Sequence, residues 1–92
     1  MRHCVSRSLD RLRDCAFSRR DAYRHVRVNA RAARRVAGAR LIDPAPVLCP
    51  GRLCPAVIGN VLVYRNTAHI TATYAGTLAP WLERRLPRPA RR

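Results

Sequence analysis

Val61-Leu62-Val63-Tyr64-Arg65-Asn66-Thr67-Ala68-His69-Ile70-Thr71-Ala72-Thr73-Tyr74 is the stretch on which the reading of this chain turns. Val61 to Tyr64 is an apolar run of strand length, made of β-branched and aromatic residues. A polar loop follows, in which Asn66 stands three positions before His69. Thr71 or Thr73 then caps a helix that carries Tyr74, Leu78, Trp81 and Leu82 inward. A histidine delivered at a strand's carboxyl end, with a polar partner just before it, has the makings of a base and its orienter. A solvated loop histidine has the same spacing, so the pair needs independent support.

Upstream, Gly59-Asn60 separates Ala56-Val57-Ile58 from Val61 to Tyr64, which predicts a β-hairpin. Before it, Cys49-Pro-Gly-Arg-Leu-Cys54 predicts a tight loop, and Arg40 to Asp43 a short strand stopped by Pro44 and Pro46. A longer helix is expected from Ser18. Ser18-Arg-Arg-Asp21 has the form of a capping box, with Asp in place of the usual Glu or Gln. Ala22, Val26, Ala30, Ala33 and Ala37 make one apolar face, and Gly38 stands just past the end. Residues 1–17 have no clear periodicity, although Leu9 and Leu12 fit a helical turn between Cys4 and Cys15.

Downstream, the helix over Thr71 to Leu86 meets Pro80, which predicts a kink or a fresh start there. Pro87 to Arg92 reads as a disordered basic tail. A hairpin beside strand–helix alternation predicts an α/β layer with some antiparallel edge.

The 92 residues suffice for one small domain or a piece of a larger one, and carry a formal charge of +14. A core of this size buries about two-thirds of the unfolded chain's surface, so its stability is marginal. All 19 basic residues are Arg, and Arg20, Arg24, Arg27, Arg31 and Arg34 recur with the helical period. Such a stripe suits nucleic acid or another polyanion. It equally suits the solvated face of a helix packed on a sheet, and its Arg-for-Lys bias matches a GC-rich coding sequence. The opposite face is mostly Ala, too small to hold a membrane well.

Four cysteines at 4, 15, 49 and 54 fall into two close pairs, which favours disulfides and an oxidising compartment. The alternative is zinc, completed by His3, His25 or His69, but neither Cys-x-x-Cys nor His-x₃₋₅-His occurs. No apolar run approaches the ~18 residues of a membrane span, and Met1 to Cys15 is too charged for a signal peptide. The cysteines ask for export, and the chain shows no means of it.

Asp43-Pro-x-Pro, Cys49, Cys54-Pro-Ala-Val-Ile-Gly-Asn-Val-Leu-Val-Tyr-Arg65, Asn66-x-x-His69-Ile-Thr71 and Tyr74 together resemble the C-terminal end of an SGNH domain. The resemblance is to the SGNH domain fused to bacterial membrane-bound O-acyltransferases, especially of actinobacterial type. It is strongest over 43–86, and Cys4, Cys15 and the Ala-rich helix are compatible upstream. It implies that residues 1–92 are a partial SGNH domain, the terminal part of a three-layer α/β/α fold with a mainly parallel sheet. It implies Ser–His–Asp chemistry without a cofactor, in which His69 is the base and Asn66 stands where the family has Asp. It also implies an acyl donor and a cell-surface glycan acceptor, reached through a membrane portion that carries the domain out of the cytoplasm.

Two departures bear on activity. Ser6, Ser8 and Ser18 lack the Gly-Asp-Ser setting of the family's nucleophile, so the polypeptide alone is expected to be inactive. Asn66 supplies no anion to stabilise imidazolium, and an Asn amide is able to hold the ring in the wrong tautomer, a change worth about 10⁴ in turnover in the serine-protease triad. If the protein begins at Met1, it is expected in the cytoplasm with reduced thiols. Three readings follow: a piece of an acyl-transfer enzyme, a small Arg-rich binder of nucleic acid or polyanion, and a non-catalytic remnant. The scattered single Phe, single Trp and three Tyr give no stacking platform for the second.

Overall fold

The computed structural model describes residues 1–88. Along the chain run α1 (Arg2–Arg7), a 3₁₀ turn (Leu12–Cys15), β1 (Phe17–Ser18), α2 (Arg19–Ala22), α3 (Val26–Arg35) and α4 (Ala45–Leu48). Then come β2 (Leu53–Cys54), β3 (Val57–Ile58), β4 (Val61–Leu62), β5 (Tyr64–Asn66), β6 (His69–Ile70), α5 (Ala72–Thr77) and α6 (Ala79–Glu83). β1 pairs with β2, β3 with β4 and β5 with β6, all antiparallel. The result is a small mixed α/β unit. Among the described residues the strand pairing is antiparallel rather than the mainly parallel sheet that the family resemblance implies.

The Gly59-Asn60 hairpin forms as expected. Val57 faces Leu62 and Ile58 faces Val61. Gly59 and Asn60 both have positive φ, +57° and +62°, the twist that a two-residue connection needs between right-twisted strands. Val61 to Tyr64 does not run as one evenly paired strand. It hands over from one neighbour to the other at Val63, whose N–H donates to Ala56 O while its C=O accepts from Thr71 N–H, each at 2.8 Å. Both polar groups of this fully buried residue are thereby satisfied.

Val63, Tyr64, Tyr74, Cys49 and Cys54 form the core cluster, with Phe17, Tyr23, Leu48, Ile58 and Ile70 packed around it. Phe17 meets Tyr64 edge to face at 4.8 Å, the arrangement that ring quadrupoles favour. The two buried tyrosines also do polar work. Tyr64 Oη donates to Leu48 O at 3.1 Å, and Tyr74 Oη donates to Val47 O. They satisfy carbonyls at the end of α4 that the short helix leaves without partners, so α4 and the adjoining cysteine loop are clamped to β5 and α5.

Burial, then the neighbouring Tyr23 and Tyr74 phenols, pushes the Tyr64 pKa up to about 12 from its ordinary 10.0. The folded state therefore resists tyrosinate formation more than the unfolded chain does. This contribution to stability is complete below pH 10 and is lost as pH rises from about 10 to about 12. Thermal melts across that window should show a progressive fall in Tm, and Tyr64→Phe should flatten it. An equally steep fall in the variant would place the alkaline weakness elsewhere.

Several expected elements take other forms. Arg40 to Asp43 makes no strand. Asp43 instead turns the chain into α4, its Oδ1 accepting from Ala45 N–H at 2.9 Å, the local bond that lets Asp compete with extended structure. Ser18 does cap a helix, accepting from Asp21 N–H, but that helix stops after Ala22. Tyr23, not Ala22, packs against the core, and the chain breaks there before restarting as α3. Asp21 ion-pairs with Arg24 at 3.4 Å instead of closing the capping box.

The helix also lacks the sheet beneath it that its Ala face suggests. α3 has no buried residue, ends at Arg35 before Gly38, and leaves Val28 64% and Val36 60% exposed. The radius of gyration is 15.6 Å, against about 12 Å for a compact chain of this length. At the other end, Thr71 rather than Thr73 is the cap of α5, and Pro80 sits in the first turn of a fresh helix, α6. Tyr74 is buried and Leu78 and Trp81 are half-buried, while Leu82 is exposed. Arg88 is the last described residue of the Pro87 to Arg92 tail; its remainder, 89–92, lies outside the described residues.

Both cysteine pairs are bridged, Cys4 to Cys15 and Cys49 to Cys54. They tie α1 to the 3₁₀ turn and close the Pro50-Gly51-Arg52-Leu53 loop under the core. With all four sulfurs paired, none remains as a thiolate for zinc, and among the described residues no three His, Cys, Asp or Glu gather around a common point.

Candidate functional site

Asn66 and His69 face each other as the closing pair of the β5–β6 hairpin, with Thr67 and Ala68 as its tip. That explains the Asn-x-x-His spacing. In a two-residue hairpin, positions i and i+3 are direct cross-strand neighbours, close enough for side-chain bonding. His69 therefore stands at the start of β6, not on an irregular loop after a strand as its sequence context suggests.

The side chains meet. His69 Nδ1 lies 3.0 Å from Asn66 Oδ1. The same oxygen accepts from Ala68 N–H at 2.8 Å, an Asx turn in which the side chain bonds the backbone two residues on. Ala68 was not legible as part of the site, although Asn at the mouth of a short turn is its signal. Both Asn66 and His69 are solvent-exposed.

The hairpin is held from behind. Thr71 Oγ1 donates to Leu62 O at 2.6 Å and accepts from Tyr74 N–H at 3.1 Å, so one hydroxyl fixes the end of β6, the end of β4 and the start of α5. Tyr64, which opens β5, is anchored to α4 by its phenol. The imidazole thus projects from a rigid base into solvent, with Nε2 making no hydrogen bond among the described residues.

No serine joins it. Ser6 Oγ donates to His3 O, and Ser18 Oγ is occupied at the α2 cap; among the described residues neither bonds His69. Asp43, bonded to Ala45 N–H, is likewise not a partner of the imidazole. The structure brings Asn66 and His69 together as a hydrogen-bonded pair, and among the described residues no serine hydroxyl bonds either of them.

A second feature lies around α2 and the start of α3. Arg19, Arg20, Arg24, Arg27 and Arg52, with Tyr23 and Val26, line a cleft of about 700 Å³. Arg19 stacks 5.9 Å above the Tyr23 ring. Arg31 and Arg34, which share the sequence stripe, lie outside it. Arg27, Arg31 and Arg34 all lie on α3, so only the first turn of that helix reaches the cleft.

No curated protein and no solved structure matches the chain. A family model described as SGNH domain (fused to AT3 domains) matches residues 1–84. That span includes both disulfides, the clamped core and the Asn66–His69 hairpin, and it reaches further upstream than the motifs over 43–86. The chain belongs to the SGNH domain family of the kind fused to AT3 domains.

Proposed function

We propose that this chain supplies the base-bearing end of an acyl-transfer or ester-hydrolysis centre, with His69 as general base and Asn66 as its orienter. The observation that carries this reading is the 3.0 Å bond between Asn66 Oδ1 and His69 Nδ1, inside the span that the family model matches. In the reaction, His69 Nε2 takes the proton of a serine hydroxyl as that oxygen attacks an ester carbonyl, and returns it to the departing alcohol. An acceptor hydroxyl, of water or of a cell-surface glycan, then attacks the acyl-serine as His69 removes its proton; the acyl–serine bond breaks, and His69 passes the proton to the departing serine oxygen.

The serine comes from a part of the AT3-fused protein outside these 92 residues; Ser6 and Ser18 have other partners, and among the described residues no serine hydroxyl bonds His69. No helix among the described residues is long and apolar enough to cross a membrane. An AT3 portion would carry the domain to the outer face of the membrane, where the two disulfides are at home. The test is hydrolysis of p-nitrophenyl acetate by the full-length protein encoded around this segment, before and after His69→Ala. Equal rates would remove His69 from the mechanism.

The arginine cleft favours one other reading, a polyanion-binding role. Five guanidiniums converge there, and the described residues offer one ion pair, Arg24 with Asp21, to offset them. If all five contact a flexible polyanion, affinity should drop about a hundredfold between 50 and 200 mM salt. Titrating polyuridylic acid and polygalacturonate by fluorescence anisotropy competition measures this. Loss of affinity in Arg24→Ala with Arg27→Ala would support the cleft; unchanged affinity would leave only diffuse charge.

A further inference from the structure

The Asn66–His69 hairpin fixes more than the direction of the imidazole. An Asn side chain offers two faces, an oxygen that accepts and a nitrogen that donates. Ala68 N–H settles which face points into the turn. It lies 2.8 Å from the side-chain atom and is itself a donor, so that atom must be the oxygen. A flipped amide would set N–H against N–H at Ala68 and forfeit the Asx turn.

With the oxygen committed, His69 Nδ1 at 3.0 Å must carry a proton to bond it. A bare Nδ1 would place two lone pairs against each other. In the neutral ring, a proton on Nδ1 leaves Nε2 with its lone pair free, directed away from the turn. We propose that Asn66 is a positioning residue that holds neutral His69 as the Nδ1–H tautomer, the form able to take a proton at Nε2. An amide in this place is commonly damaging because it is free to rotate and donate to Nδ1. Here the backbone of the hairpin tip denies it that rotation. The expectation from sequence that Asn66 would permit the wrong tautomer is thus reversed by a residue two positions on.

The proposal deepens the base role of His69 and rests on it for its catalytic meaning, but the tautomer is readable without catalysis. The experiment is two-dimensional ¹⁵N–¹H correlation through the ring protons of the intact 92-residue chain, with the imidazoles in their neutral form. His69 is assigned by its absence in His69→Gln, which separates it from His3 and His25. The expected spectrum has a pyrrole-type Nδ1 and a pyridine-type Nε2 for His69. Asn66→Ala should move His69 to the Nε2–H form that free histidine favours in water, and Asn66→Asp should keep the Nδ1–H form.

A wild-type His69 that is mainly Nε2–H, or whose shifts match those in Asn66→Ala, would overturn the proposal. Because the wild-type spectrum decides alone, a variant that fails to fold does not rescue it. The two ideas also fail separately. A wrong tautomer alongside His69-dependent esterase activity would sink the positioning role only. An Nδ1–H ring with activity indifferent to His69→Ala would sink the base role only.

Discussion

Replacing Cys49 and Cys54 together with serine is expected to leave the chain without cooperative structure at 37 °C, whereas Cys4→Ser with Cys15→Ser should lower Tm and preserve the fold. Loop closure alone argues for the opposite ranking. The bridges span 11 positions at Cys4–Cys15 and 5 at Cys49–Cys54. The chain-entropy relation then gives the longer loop about 3 kcal/mol and the shorter about 2. Burial decides the order. Cys49 and Cys54 are 1% and 0% exposed, inside the cluster with Val63, Tyr64 and Tyr74.

Serine there buries two hydroxyls. The Tyr64 hydroxyl lies 3.7 Å from Cys49 Sγ, but a hydroxyl at position 54 has no such neighbour among the described side-chain hydrogen bonds and costs about 1–3 kcal/mol. The loss adds to the missing tether and approaches the whole stability of a domain this size, about 5–14 kcal/mol. An open shape with exposed Val28, Val36 and Leu41 places this chain toward the lower end. Near-ultraviolet circular dichroism reports on it, since Phe17, Tyr64 and Tyr74 are held against the affected cluster. Cys49→Ala with Cys54→Ala separates the two contributions: it removes the tether without burying a hydroxyl and should fall between the serine variant and wild type. If Cys4→Ser with Cys15→Ser proves the more damaging pair, loop entropy outweighs burial and the core has been misplaced.

What the sequence disclosed follows the range of the physics behind each signal. Gly59-Asn60 and Thr71 could be read because turn and cap chemistry is local, contained in three or four residues. The cysteine pairing could be read for the same reason. The α2–α3 break could not. Ala22, Val26 and Ala30 keep a perfect helical period through it, and only the core's demand for the Tyr23 ring interrupts the helix. The missing strand at Arg40 to Asp43 is similar: an extended apolar segment becomes a strand only with a neighbour to pair with, and among the described residues none pairs with it. At the site, spacing gave the partners, Asn66 and His69. Their role depended on Ala68 N–H, a backbone donor that no side-chain motif advertises.

In the full-length protein, His69→Ala should cut esterase turnover by about 10²–10⁴, the usual contribution of a positioned general base. Asn66→Asp should raise it, and the size of the rise is diagnostic. Were Asn66 holding the imidazole in the wrong tautomer, restoring a carboxylate would correct both tautomer and charge, a gain of about 10⁴ by analogy with the serine-protease triad. With the tautomer already right, only the missing charge is supplied. A hydrogen bond to an ionised acceptor is stronger than a neutral one by about 1–2 kcal/mol. The exposure of both residues keeps the effective dielectric high and holds the Coulomb gain to that order. The expected rise is therefore about fivefold to thirtyfold in kcat, with KM little changed because the added charge acts through the imidazole. Asn66→Ala should lower kcat below wild type, since it forfeits the Nδ1 acceptor and the turn together. A gain near 10⁴ in Asn66→Asp would mean that the native ring is misprotonated. No gain, with His69→Ala still inactivating, would mean that imidazolium is stabilised by a carboxylate from another part of the protein.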